Sequence, residues 1–171
     1  MIKLLILAVF FLSSGCGYTT RGSIYAGKKI MVRPVINTID VTSLSERTSG
    51  YVNFPILIEN KLTNEIVSKF NNDGQLKVVS QDQQALTLTC SVDSYTKQTL
   101  RYEEANDGEV KEQRLRLHTH IKLTSATGEV LIEEDVVGET EYLVSGSETT
   151  AQIALVSDTA RRISEAVLEQ W

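Results

Sequence analysis

The chain has 171 residues, 42% hydrophobic and 23% charged, with only 2 Pro and 2 Cys. That is the make-up of one globular domain, long enough to bury about 70% of the surface its unfolded form exposes without disulfide or metal staples. Lys and Arg number 17 against 22 Asp and Glu, a net charge of -5, so the chain has no overall cationic field for nucleic acid, and its composition argues against both disorder and a disulfide scaffold.

The first fifteen residues differ in kind from the rest. Met1-Ile2-Lys3 carries the only early charge, Leu4 to Leu12 is an unbroken apolar run, and Ser13-Ser14-Gly15 leads into Cys16. A spanning helix needs about 20 apolar residues, so this shorter run reads as a secretory signal. The segment resembles a bacterial lipoprotein signal, in which the Cys after the small residues is lipidated and becomes the new N-terminus. It departs from that pattern in having Ser13 where Leu is usual, with Leu12 one place further back. An ordinary cleaved signal followed by a chance Cys is the plainer alternative. Lipidation of Cys16 would leave Cys90 without a disulfide partner in the chain. Each buried lipid CH₂ contributes about 0.8 kcal/mol, so a multiply acylated N-terminus holds a domain on a membrane without a spanning helix. Gly17 after the Cys differs from the Asp typical of inner-membrane retention, so the expected location is the outer membrane, periplasmic side. The expected division is a cleaved signal over 1–15, a lipidated N-terminus and short tether over 16–28, and a single domain over 29–171.

Lys29 to Asn37 is rich in Ile and Val and contains Pro34, which predicts a strand that lies at an edge or ends near the proline. Thr38 to Asn53 is polar and long for a loop. Asn53, followed by Pro55, predicts a helix start. Ile58, Leu62, Ile66 and Phe70 then recur every four residues, and Asn71-Asn72-Asp73-Gly74 supplies the stop. Gln75 to Ser80 predicts a short strand. Two long strands follow, with Leu86, Leu88, Cys90 and Val92 on one face of the first and Leu115, Leu117, Ile121 and Leu123 on one face of the second. Asn106-Asp107-Gly108 and Ala126-Thr127-Gly128 are hairpin-turn signals, and Glu129 to Leu143 completes a meander. Ser145-Gly146-Ser147-Glu148 has the spacing of a capping box, and Ile153, Val156, Ala160, Ile163, Val167 and Trp171 repeat as the apolar face of a terminal helix.

Strand, helix, four strands, helix, with one wet face on the long strands, predicts an α+β two-layer sandwich in which two helices pack on one face of a mixed, mostly antiparallel sheet of four to five strands. The first strand-helix-strand unit predicts a right-handed crossover and one parallel pair.

The sequence contains no Gly-rich phosphate loop, no G-x-S-x-G, no C-x-x-C and no H-E-x-x-H. His118 and His120 share a strand face, but a zinc site needs further strong ligands, and Cys90 falls on the opposite, buried face of its own strand. These histidines read as solvated, Cys90 as a small buried apolar residue, and the chain as a non-enzyme with no cofactor beyond the N-terminal lipid. The unusual polar feature is the alternation of Arg114, Arg116, His118, His120 and Lys122 on one wet face. Glu133, Asp135, Glu139 and Glu141 on the next strand offer cross-strand partners, and that pairing outweighs the alternative, in which unpaired Arg114, Arg116 and Lys122 receive phosphate.

Cys16-Gly17-Tyr18-Thr19-Thr20-Arg21-Gly22 resembles the C-G-Y-x-[apolar]-R-G opening of the LPS-assembly lipoprotein family (LptE type), with Thr20 in the place usually apolar, and the likeness continues through Ile30-x-Val32-x-Pro34-Val35-Ile36-Asn37-Thr38. The resemblance implies a plug and assembly partner inside the outer-membrane barrel of the LPS translocon (LptD type). It also implies contact with lipopolysaccharide, a membrane anchor through Cys16, no nucleic-acid partner and no covalent chemistry. The resemblance assigns no site residue beyond the lipidated Cys16; Arg114, Arg116 and Lys122 are candidate LPS contacts from the alternation of cations on their strand. The competing reading is a free-standing lipoprotein that binds a small periplasmic ligand or inhibits an envelope enzyme.

Overall fold

The computed structural model describes residues 23–39, 57–102 and 109–169. In chain order these form β1 (Lys29–Val32), β2 (Ile36–Asn37), α1 (Ile58–Asp73), β3 (Lys77–Val78), β4 (Leu86–Tyr102), β5 (Val110–Thr124), β6 (Val130–Leu143) and α2 (Glu148–Leu168). The expected single strand over Lys29 to Asn37 is two strands, because Pro34 has no N–H to give to a ladder. The chain nonetheless stays on β4 on both sides of the break. Arg33 N–H donates to the Leu88 carbonyl at 2.9 Å and Thr38 N–H to that of Val92 at 3.0 Å. Between them Val35 N–H leaves the sheet and donates to Thr63 Oγ1 of α1 at 2.9 Å.

The sheet has six strands, in the order β3-β1-β4-β5-β6, with β2 also on β4. It is larger than the four to five strands expected, since the proline turns one strand into two. β4, β5 and β6 form the expected antiparallel meander. The single parallel pair expected is instead three, β1 with β3, β1 with β4 and β2 with β4. The cause is the place of β1, which lies inside the sheet, with β3 as the edge.

Both helices lie on one face, α2 over β6 and β5 and α1 beside it over β1 and β3. The four-residue spacing of α1 puts Ile58, Leu62, Ile66 and Phe70 fully inside, each contributing about 1.5–3 kcal/mol by burial. They meet Leu88, Val92, Leu117, Ile121 and the α2 residues Leu155, Ala160, Ile163 and Val167 in one core. The proposed helix start at Asn53 and Pro55 lies outside the described residues. Within them α1 follows Leu57, a non-glycine residue in the left-handed region at φ 58, which is strained. It ends as predicted at Gly74, whose φ of 74 suits glycine and whose N–H donates to the Phe70 carbonyl at 3.1 Å.

The cap of α2 is Ser147 rather than Ser145. Gly146 N–H donates back to the Leu143 carbonyl at 2.8 Å, which keeps Ser145 in the preceding turn, and Ser147 Oγ accepts from Thr150 N–H at 3.3 Å. Ile153, expected on the buried face, is 62% exposed. It sits in a groove beside Lys61, Asn64 and Glu65 of α1, polar residues that do not cover it, while Leu155 is the fully buried residue. Trp171 and the Asn106-Asp107-Gly108 turn lie outside the described residues. The Ala126-Thr127-Gly128 turn is present, closed by Ser125 N–H to the Glu129 carbonyl at 2.8 Å with Gly128 at φ 85.

Helix α2 approaches β6 at one glycine. A Cβ on Gly138 would stand 2.7 Å from Thr159 Cβ and 2.8 Å from Thr159 Cα, with Thr159 Oγ1 nearer still. One residue on, Glu139 N–H donates to Asp158 Oδ2 at 3.0 Å. The helix therefore covers the middle of a strand that is otherwise an open edge.

Candidate functional site

The outward face of β5 is fixed by its inward one. Leu115, Leu117, Thr119, Ile121 and Leu123 are buried against the helices, so Arg114, Arg116, His118, His120 and Lys122 stand on the helix-free face. The β5–β6 register sets Arg114 opposite Glu141, Arg116 opposite Glu139, His120 opposite Asp135 and Lys122 opposite Glu133.

These pairs are made. Arg114 Nε donates to Glu141 Oε1 at 2.9 Å, Arg116 Nε to Glu139 Oε2 at 3.2 Å, and Lys122 Nζ to both Glu133 oxygens at 3.2 Å. His120 Nδ1 lies 2.8 Å from Asp135 Oδ1, and its Nε2 lies 3.5 Å from Glu133 Oε1. Arg162 of α2 reaches round the sheet edge to within 4.0 Å of Glu139 while donating to Asp158 at 2.7 Å. The face is a ladder of opposite charges. Hydrogen bonding to Glu141 raises the Arg114 pKa, and bonding to Asp135, then Glu133, raises that of His120 against some desolvation. Lys122 in turn holds the Glu133 carboxyl below the usual range.

The same register leaves His118 opposite Val137 and Ser94, away from the carboxylates that engage His120. Among the described residues no group of three or more His, Cys, Asp or Glu is placed to hold a metal ion. Cys90 is buried on the core face, where burial pushes its thiol up to about 12, an environment for packing rather than for a thiolate.

One polar cluster escapes sequence reading. The β4–β5 register shifts between Val92 and Ser94, and beyond that irregularity odd-numbered residues of β4 face the helices, so Tyr95 is buried and Lys97 turns inward. Lys97 Nζ donates to Glu148 Oε2 at 2.8 Å in the first turn of α2 and lies 5.9 Å from the Tyr142 ring centre. Desolvation opposes the Lys97 ammonium, but hydrogen bonds to Glu148 and Tyr142 outweigh it and raise its pKa. The cluster ties the start of α2 to the sheet. Alternation alone cannot reveal it, because the irregularity reverses which residues face inward.

The arrangement of two helices on one side of the sheet recurs in solved structures. A minor lipoprotein from Acinetobacter baumannii is 17% identical over 81% of this chain and 90% of its own, with a TM-score of 0.51. A hypothetical protein from Chlamydia trachomatis is 10% identical over 84% of this chain and 99% of its own, with a TM-score of 0.54. Rare lipoprotein B from Shewanella oneidensis is 14% identical, covering 79% of this chain and 91% of its own at a TM-score of 0.46. At these identities the first two likenesses speak for the fold. No curated protein matches the chain in sequence. The model of the family described as "LptE: Lipopolysaccharide-assembly" matches residues 36–171, the greater part of the chain and nearly all of the described fold. The chain belongs to the LptE, lipopolysaccharide-assembly, family.

Proposed function

We propose that the protein is an outer-membrane lipoprotein, anchored on the periplasmic side through a lipid on Cys16. It assists assembly of the LPS-translocon β-barrel (LptD type), plugs its lumen and contacts lipopolysaccharide during transport. The observation that carries this reading is the family match over residues 36–171. The geometry supports it in one physical respect. Barrel interiors are polar, and a sheet face whose charges are already matched strand to strand suits such a lumen without presenting an uncompensated field.

Full-length protein, affinity-purified from native outer membranes, is expected to bring down a barrel of the translocon class. Its depletion should lower the amount of correctly assembled barrel and admit bile salts and large antibiotics. Recovery of the domain alone, with an intact permeability barrier after depletion, would replace this reading with a free-standing binder.

In this reading Arg114, Arg116 and Lys122 meet LPS phosphates by exchanging their carboxylate partners. The double substitution Arg114→Ala with Arg116→Ala should weaken LPS binding at least about tenfold, or 1.4 kcal/mol, with melting nearly unchanged. Unchanged LPS affinity with a clear loss of stability would assign both arginines to Glu141 and Glu139 alone.

A further inference from the structure

Away from the ladder, a hollow of about 420 Å³ opens where the chain after β1, the segment leading into β4 and the β5–β6 turn come together. Arg33, Ser80, Gln81, Gln83 and Ser125 stand around it. Five other described arginines, Arg101, Arg114, Arg116, Arg161 and Arg162, each have a carboxylate partner. Among the described residues Arg33 has none, and the side chains of Ser80, Gln81 and Gln83 likewise make no hydrogen bond within the protein.

The one acid on the wall is already taken. Asp82 accepts from Lys29 Nζ at 2.7 Å, so that pair cancels and the charge left over in the hollow is the Arg33 guanidinium. Among the described arginines this makes Arg33 the one without a carboxylate, in a chain of net charge -5. The root of the side chain is also held, by Arg33 N–H on the Leu88 carbonyl at 2.9 Å and by the fixed φ of Pro34 after it. A guanidinium offers a planar fork of N–H donors that matches two oxygens of a phosphate, and a serine hydroxyl and two carboxamides add neutral donors for a third oxygen and for a hydroxylated neighbour. A carboxylate has only two oxygens and would leave such donors unused.

We propose that Arg33, with Ser80, Gln81 and Gln83, forms a binding site for a phosphate monoester. The site goes beyond the function proposed above, since it requires neither the barrel nor the Arg114–Lys122 ladder. The same chemistry is presented by a lipid headgroup ending in phosphate and by a free phosphate ester, and competition separates the two.

The test uses the full-length lipoprotein in non-ionic detergent, titrated with glycerol 3-phosphate and followed by the Arg33 Nε–H resonance and by calorimetry. A saturable shift at Arg33 is expected. Arg33→Ala should weaken binding at least about tenfold, and Arg33→Lys should be intermediate because it keeps the charge and loses the fork. The melting temperature of Arg33→Ala should match the parent, since Arg33 is exposed. Displacement by phosphatidylcholine vesicles carrying phosphatidic acid would identify the occupant as a lipid headgroup, and failure to displace would identify it as a free ester. No saturable response at Arg33, or undiminished affinity in Arg33→Ala, overturns the site. Barrel capture is read separately and stands or falls without it.

Discussion

Replacing Gly138 by Ala should destabilise the domain by about 3 kcal/mol or more and lower its melting temperature by roughly 6–12 °C. The added methyl would have to share space with Thr159, whose Cβ and Cα stand 2.7 and 2.8 Å from where it would lie, and the second of these is backbone. A side chain can turn aside, but an α-carbon moves only with its helix. Displacing α2 would also loosen the Asp158 bond to Glu139 N–H and the packing of Leu155, Ala160 and Ile163. Thr159→Ala should therefore restore only part of the loss, because it removes Oγ1 and leaves both carbons in place. Thermal melting of the single and double variants checks this. Full rescue by Thr159→Ala would mean that only the hydroxyl was in the way, and an unshifted melting curve for Gly138→Ala would mean that α2 does not seat on this strand as described.

Cys16→Ala should have the largest effect on location. At about 0.8 kcal/mol per buried CH₂, two or three acyl chains amount to an anchor that does not let go on the timescale of fractionation, whereas a domain without them has only surface contacts to hold it. Among the described residues no helix is long and apolar enough to cross a membrane. The variant is expected to lose fatty-acid labelling and to stop floating with outer membranes. Continued labelling at parental levels would dismiss the lipoprotein signal.

Most of the fold was readable because its elements carry their own periods. Ile58, Leu62, Ile66 and Phe70 are neighbours on a helix whatever surrounds them, and Leu86 to Val92 alternate over a stretch with no irregularity. The carboxylates that meet the β5 cations were readable too, since a hairpin places consecutive strands side by side. What was not readable depends on contacts between distant parts of the chain. The place of β1 between β3 and β4 is a choice among pairings that are equally apolar in sequence. The inward turn of Lys97 depends on a one-residue irregularity, and the exposure of Ile153 depends on which residues of α1 lie beside it. Arg33 gave no sign in the sequence, because a cation's lack of a partner is a property of everything around it. At Ser147 the sequence had two serines of the right type, and only the Gly146 turn decided between them.

The interior position of β1 also bears on the order in which the chain can organise itself. Lys29 meets Lys77, and Ile30 meets both Val78 and Leu86, separations on the order of 50 residues, whereas β4, β5 and β6 meet across single turns. A polypeptide that emerges N-terminus first presents β1 long before either of its neighbours. Until Leu88 has emerged, this Ile- and Val-rich segment has two unsatisfied edges, and pairing on both is possible only once the slot between β3 and β4 is available. The first strand to arrive is thus among the last to be locked.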